Sequence, residues 1–214
     1  MKGIDYSYMR KETKTVILCV LVFASIMLYC FIQGFAFLEY IQIDFVFFAL
    51  SALVFIVTAI FYFLKKESGE LVWSSAFQMM SWGSAGVSWL ICSGFNLNDL
   101  SRKSSTTLRL NLLWLLWLLA MFYFAFPLSK VFIKSAEKNA RSKVANASIA
   151  ACVGLLMGRL IIFALESVLK NSSKATFSIV IAIEGSLVFM IFQSLCIFFL
   201  KARNSKALED NSNC

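Results

Sequence analysis

The chain has 214 residues and a net charge of +8; 60% of its residues are hydrophobic and only 15% are charged, with a mean hydropathy of +0.78. A soluble globular domain is about half apolar and about a quarter charged, so this composition excludes an ordinary soluble domain. Histidine is absent, which excludes His-ligated haem, His-based zinc sites and histidine proton relays. The sequence therefore predicts an all-α, polytopic membrane helical bundle with no cofactor and no metal.

The apolar residues fall in six blocks, each long enough to supply the roughly 20 helical residues that cross a bilayer core. Backbone groups in lipid must be hydrogen-bonded within the segment, so each block is predicted to be a helix. The predicted spans cover residues 15–37, 44–64, 71–95, 109–132, 146–169 and 177–200. They form one transmembrane domain, 15–200, between a cytoplasmic N-terminal tail, 1–14, and a cytoplasmic C-terminal tail, 201–214, which is predicted to be disordered.

The distribution of Lys and Arg predicts how the chain is threaded, since cytoplasmic loops carry an excess of these residues. The two tails and the second and fourth connections hold 14 of the 20, and the other connections hold five. Both termini are therefore predicted to be cytoplasmic, in a plasma membrane that would be the inner membrane of a bacterium. Because the basic residues are dispersed over several loops, no nucleic-acid partner is expected.

The second and fourth spans consist almost entirely of large apolar side chains and are predicted to face lipid. Trp114 and Trp117 are assigned to an aromatic belt at the membrane interface, and Pro127 is predicted to kink or end the fourth helix. The stretch after Pro127 is predicted to be either an interfacial helix on anionic headgroups or a solvated continuation of the fourth helix. Its membrane-surface basic stripe is formed by Lys130, Lys134 and Lys138.

Small residues mark the third, fifth and sixth spans as the interior of the bundle, because they let helix backbones approach closely. The third span has Ser and Ala pairs four residues apart in the stretch SWGSAGVS. In the fifth and sixth spans, the predicted helix-packing strip consists of Ala147, Ala151, Gly154, Gly158, Ala182 and Gly185.

Ionisable residues inside a membrane are rare and are usually functional or paired. The predicted buried charged site consists of Arg159 and Glu166 in the fifth span and Glu184 in the sixth. At about 1.5 Å per residue, Arg159 lies roughly 20 Å and Glu184 roughly 24 Å from the inner edge of the bilayer, so these two are predicted to pair. Glu166 is expected near the outer headgroups. Glu39 and Asp44 are assigned to the first outer loop and are given no role.

Three hypotheses for the charged site follow: a fixed polar clasp that orders the bundle, a proton- or ion-coupling site in a small transporter or channel-like protein, and a site that pairs with a charge in another membrane chain. Enzyme chemistry is not expected, because the chain has neither a nucleotide-binding P-loop nor a nucleophile-elbow motif. The leading hypothesis is transport. The alternative is a non-catalytic accessory, assembly or immunity-type protein that packs on another membrane protein. The expected partners are the lipid bilayer and either another membrane protein or a second copy of the chain.

Overall fold

The computed structural model describes residues 7–37, 43–64, 69–100, 104–138 and 174–212, and these residues form five α-helices. The helices are α1 (Ser7–Phe37), α2 (Ile43–Phe63), α3 (Gly69–Leu100), α4 (Ser104–Lys138) and α5 (Lys174–Ser212). The predicted all-α class is confirmed for these residues. The helix α5 corresponds to the sixth predicted span, and the fifth predicted span, 146–169, lies outside the described residues.

Four of the helices contain a stretch long and apolar enough to cross a membrane: Thr13–Gln33, Ile43–Phe63, Leu108–Ile133 and Val180–Asn204. Large apolar side chains cover the outside of these helices. Leu18, Leu53 and Leu116, for example, each have more than half of their surface exposed. Such a surface suits a hydrocarbon solvent, so the architecture is that of a membrane-embedded protein.

The central helix is α3, which packs against α1, α2 and α5, while α4 packs mainly against α5. The third predicted span is therefore a helix, but it is not one of the four apolar stretches because serine and glycine lower its hydropathy. A helix enclosed by other helices does not have to be soluble in lipid, and its hydroxyl groups can bond to its neighbours. The enclosed position of α3 therefore explains why this helix is rich in serine and glycine.

Contacts at the two ends of the bundle fix the directions of the first three helices. Phe31 near the end of α1 and Asp44 at the start of α2 both approach Gly86 in the second half of α3. At the opposite end, Thr13 of α1 lies beside Gly69 at the start of α3. The helices α1 and α3 therefore run parallel, and α2 runs antiparallel to both.

Both α4 and α5 begin at the end of the bundle that contains Asp44. Trp114 in the first part of α4 stacks on Trp89 of α3, and Gly185 in the first part of α5 lies against Ser88 of α3. Phe132, late in α4, packs against a hydrophobic cluster to which α5 contributes residues from Val188 to Phe199, all beyond Gly185. The helices α4 and α5 are therefore parallel to each other and antiparallel to α3.

Serines seven residues apart in α3 hold the interface between α3 and α5. Ser81 donates a hydrogen bond of 3.0 Å to the Phe189 carbonyl of α5, and Ser74 makes a similar bond of 3.3 Å one heptad earlier. One heptad later, Ser88 lies so close to Gly185 that any side chain added to the glycine would overlap it. Small and hydroxylated side chains thus bring the two backbones together, as expected for helices that associate in lipid.

Two helices extend further than the apolar pattern predicts. The helix α4 continues through Pro127 to Lys138, so the expectation that this proline could end the fourth helix is wrong. Proline removes only one backbone hydrogen bond, and the packing of α4 against α5 offsets that loss. The helix α5 continues to Ser212, through most of the tail predicted to be disordered.

Candidate functional site

A buried carboxyl group lies in the first turn of α2. Only 3% of the surface of Asp44 is exposed, so the assignment of this residue to an outer loop is wrong. The helix already begins at Ile43, and its first turn directs Asp44 towards α3. A carboxylate near a helix N-terminus interacts favourably with the helix dipole, which offsets part of the cost of burying it.

Gly86 of α3 makes room for three helices to meet at Asp44. A Cβ atom at Gly86 would overlap the ring of Phe31 from α1 and would lie 3.2 Å from the Cβ atom of Asp44. Phe31 is itself fully buried and stacks on Phe48 of α2, with the ring centroids 5.4 Å apart. The carboxyl group is therefore closed off from the α1 side by aromatic packing.

Two tryptophans join α3 to α4 beside this carboxyl group. The rings of Trp89 and Trp114 stack with their centroids 5.1 Å apart and their planes at 10°. The Nε1 of Trp89 donates a hydrogen bond of 2.6 Å to the Oδ1 of Asn111. Trp114 lies next to the Asp44 carboxyl group, and only 6% of its surface is exposed. The ring of Trp114 therefore lies inside the bundle rather than in the aromatic belt to which it was assigned, because it gains a stacking partner there.

Four residues form this Asp44 cluster: Asp44, Trp89, Asn111 and Trp114. Two of its buried atoms, the Oδ1 of Asp44 and the Nε1 of Trp114, have no hydrogen-bond partner of normal geometry among the described residues. Buried polar groups are normally bonded, so such exceptions need a physical explanation. A carboxylate buried in this way is stable only if a proton or a cation neutralises it. Asp44 therefore needs a neutralising charge that the uncharged side chains of Trp89, Asn111 and Trp114 do not supply.

A cleft of about 330 Å³ lies between α2 and α4, beginning about one helical turn from Asp44. Its side walls are Leu50 and Val54 of α2 and Leu119 and Phe122 of α4. Leu50, Val54 and Leu119 are about half exposed on the outside of the bundle. This lateral cleft therefore opens on the apolar surface of the protein rather than at one of its ends.

The floor of the lateral cleft carries three polar side chains, Ser51, Gln78 and Gln193. Gln193 is almost completely enclosed, with 2% of its surface exposed. Neither glutamine amide is hydrogen-bonded to another of the described residues. The floor therefore offers unused donors and acceptors inside an otherwise apolar space.

Aromatic rings make up much of the remaining lining. Trp82 stacks on Phe47, with centroids 4.5 Å apart and planes at 16°, and meets Phe189 edge-on at 4.9 Å. Phe47 lines the lateral cleft and lies about one helical turn from Asp44 on α2. The lateral cleft and the Asp44 cluster are thus neighbours along α2.

Only one member of the predicted buried charged site lies among the described residues. Glu184 is half-buried on α5, next to Gly185. Arg159 and Glu166 lie outside the described residues, so the predicted pairing of Arg159 with Glu184 stays a prediction.

The predicted packing strip and basic stripe are also described only in part. Ala182 packs against the main hydrophobic core, and Gly185 lies in the contact between α3 and α5. Lys130 is exposed, whereas Lys134 and Lys138 lie in α4 beyond its described side chains. The other members of the strip lie outside the described residues: Ala147, Ala151, Gly154 and Gly158.

The burial of Asp44 was not predicted, although the sequence contains a pattern that indicates it. Asp44, Ser51 and Thr58 are seven residues apart in α2, and all three are buried. This spacing places them on one helical face, and that face meets α3, where Thr58 and Ser75 share a hydrogen bond of 2.7 Å. In lipid, a polar face with a seven-residue repeat indicates the side that packs on protein.

Comparison with models of protein families, with curated proteins and with solved structures finds no match to this chain. Within the described ranges, no three Cys, Asp or Glu side chains come together in a way that could hold a metal ion. The interpretation of the site therefore depends on the chemistry of its own residues.

Proposed function

We propose that the chain is a multi-pass integral membrane protein of the plasma membrane that acts as a small transporter or channel-like protein, with a buried charged site coupled to protons or ions. The four apolar helices support a position in the membrane. The observation that carries the transport hypothesis is the Asp44 cluster, where a carboxyl group with an unpartnered oxygen is buried in a membrane bundle.

The proposed topology has six spans over 15–200, with both terminal tails in the cytoplasm. Its main support is the parallel arrangement of α4 and α5. Because α4 ends at one end of the bundle and α5 begins at the other, the 35 residues between Lys138 and Lys174 have to connect opposite ends. One membrane crossing takes about 20 helical residues, so this length is sufficient for the predicted fifth span.

The coupling role proposed for Asp44 follows from its surroundings. Carboxyl groups within membrane spans are typical of proton relays and ion pathways, because each change of charge there has a large energetic consequence. The indole N–H of Trp114 is a donor beside the carboxyl group, although the two groups are not aligned as a normal hydrogen bond. A small shift of that ring would stabilise the charged form, so Trp114 is proposed to position the carboxylate.

Glu184 is proposed as the second coupling carboxyl group, together with Arg159 as its partner. Gly185, the next residue, lies against Ser88 at the level of Trp89, so Glu184 lies at the same level of the bundle as the Asp44 cluster. Glu166 is proposed to make a contact with Arg159 nearer the outer surface.

Proton flux in liposomes tests this function. The purified chain would be reconstituted with an enclosed pH-sensitive dye, and a pH gradient and a membrane potential would be applied. We expect flux well above that of protein-free liposomes. Asp44→Asn and Glu184→Gln should each reduce the flux to the protein-free level, because an amide cannot bind and release a proton.

Glu67→Gln is the matched control, since Glu67 is a carboxylate of the predicted second connection, outside the spans. Its flux should equal that of the wild type. The transport function would be excluded if wild-type liposomes showed no proton flux above protein-free liposomes and, with enclosed sodium- or potassium-sensitive dyes, no flux of those ions either. Flux that survives both Asp44→Asn and Glu184→Gln would exclude these two residues as coupling groups.

The second candidate function is that of a non-catalytic accessory, assembly or immunity-type protein. It is favoured by α1, since only 17% of the most apolar 18-residue window of Thr13–Gln33 is buried and, among the described helices, α1 packs mainly on α3. Much of its surface is thus left for lipid, another membrane protein or a second copy of the chain. A membrane protein that co-purifies in mild detergent and is lost in Gly154→Leu, with no ion flux, would favour this function over transport.

A further inference from the structure

We propose that the lateral cleft binds a planar, uncharged ring molecule that carries carbonyl or hydroxyl oxygens and enters from the bilayer. This binding site is separate from the Asp44 cluster and does not depend on the proposed ion coupling.

The position of the opening determines how a ligand arrives. The mouth of the lateral cleft is formed by Leu50, Val54 and Leu119, which are about half exposed on the apolar outer surface. A water-soluble molecule would have to leave water and cross hydrocarbon to reach this mouth. A molecule already dissolved in the membrane meets it directly, so the ligand is expected to be apolar overall.

The lining selects for a ring. Four aromatic side chains contribute to it: Phe47, Trp82, Phe122 and Phe189. Aromatic rings prefer other rings in stacked or edge-to-face arrangements, which stabilise beyond simple burial of area. The volume of about 330 Å³ lies at the lower end of the range of about 300–1,000 Å³ that is usual for ligand pockets, so the bound ring system is small.

The glutamines select for oxygen substituents. Gln193 is 98% enclosed and lines the lateral cleft without a hydrogen bond to a described residue. An unbonded amide in an apolar space is unfavourable, and its N–H₂ and C=O groups can satisfy a carbonyl or a hydroxyl group of a ligand. None of the described side chains lining the lateral cleft is charged, which favours an uncharged ligand.

Two probes of the same shape separate the contribution of the oxygens from that of the ring. Duroquinone and durene share a tetramethylated six-membered ring, but only duroquinone has carbonyl groups. Radiolabelled forms would be bound to the protein in lipid nanodiscs, with binding to empty nanodiscs subtracted. Duroquinone should bind saturably and about 2- to 10-fold more tightly than durene, as expected for one additional net hydrogen bond.

Leucine variants identify the donors. Gln193→Leu and Gln78→Leu keep the approximate size of the side chain and remove the amide, so together they should abolish the preference for duroquinone while durene still binds. Gln33→Leu is the matched control, because Gln33 is exposed on α1, away from the lateral cleft. It should retain the full preference.

A blocking variant tests the location without touching the glutamines. Leu50→Trp should fill the mouth of the cleft and weaken the binding of both probes. Leu53→Trp adds the same ring to an exposed leucine of α2 that does not line the cleft, and it should bind both probes as the wild type does. The proposal is overturned if neither probe binds above empty nanodiscs, if both bind equally, or if the preference persists without both amides.

Discussion

Gly185 is the residue that sets the distance between α3 and α5. Its missing side chain leaves the space that Ser88 fills, and the clash of a larger residue would involve the Cβ atom of Ser88, which cannot rotate away. At Gly69, in contrast, a Cβ atom would meet the terminal Oγ1 of Thr13 at 3.0 Å and would make an ordinary contact with the ring of Tyr62 at 3.9 Å. The two glycines therefore differ in how well their surroundings can adjust to a methyl group.

This difference leads to a prediction at the residue scale. Gly185→Ala should lower the free energy of unfolding by about 1–3 kcal/mol, the usual cost of forcing a methyl group into a packed interface. Gly69→Ala should cost less, because the threonine can change its rotamer. Thermal unfolding in detergent measures both effects. Adding Ser88→Gly should recover part of the stability of Gly185→Ala, and a purely additive double variant would contradict the direct contact.

Asp44 and Trp114 are both buried, but the sequence indicates burial for only one of them. A carboxylate just before an apolar run fits an exposed loop as well as the first buried turn, and the choice depends on which face of α2 meets α3. The seven-residue spacing of Asp44, Ser51 and Thr58 contains that information. The stacking of Trp114 on Trp89 has no comparable signal, because it is created by the arrangement of two helices in space.

At the scale of the helices, composition predicted which of the described helices expose large apolar side chains and which pack in the interior. The second and fourth spans were predicted to face lipid, and α2 and α4 expose most of their large apolar side chains. Small residues placed the third and sixth spans in the interior, where α3 and α5 pack together. Helix lengths were underestimated, because hydropathy detects only the part of a helix in lipid. The polar ends of α1 and α5 continue the same hydrogen-bonding pattern beyond it.

The link between α3 and α4 gives a prediction at this scale. Trp89→Phe keeps an aromatic ring on Trp114 but removes the donor to Asn111. A buried amide oxygen is then left without its partner, so the free energy of unfolding should fall by about 0.5–2 kcal/mol. Thermal unfolding in detergent would measure the change.

The control for this variant is Trp117→Phe, since Trp117 is largely exposed on the same helix as Asn111. Its stability should be unchanged. Replacing Asn111 by Leu in the Trp89→Phe background should restore part of the loss, because no polar atom then remains unpaired. If Asn111→Leu is as harmful in that background as in the wild type, the hydrogen bond is not the source of the effect.

At the scale of the whole molecule, α3 organises the bundle. It contacts α1, α2 and α5, and its polar residues are directed at these neighbours rather than at lipid. The Asp44 cluster and the lateral cleft both lie where α2, α3 and α4 approach one another. The residue pattern of a single helix does not predict where three helices approach one another. That place depends on the packing of α4 against α5 and on the small contact between α4 and α2.

The directions of α4 and α5 make the topology testable. In a variant without native cysteines, single cysteines would be introduced at Ser68, Ser101, Ala140 and Ser172, which lie in the predicted connections. A membrane-impermeant maleimide applied to intact cells should label Ser101→Cys and Ser172→Cys. Ser68→Cys and Ala140→Cys should react only after the membrane is permeabilised. The native cysteines to be replaced by alanine are Cys19, Cys30, Cys92, Cys152, Cys196 and Cys214.

Ala140 and Ser172 are the two positions that decide whether the chain crosses the membrane between α4 and α5. Since α4 and α5 are parallel, the connection between them begins and ends at opposite ends of the bundle. Labelling of the two cysteines from opposite sides therefore requires one further membrane crossing between α4 and α5. Together with α1 to α5, this crossing gives six spans, an even number. Labelling from the same side would mean that the two helices are not parallel in the membrane, and the common cytoplasmic location of the two termini would then be wrong.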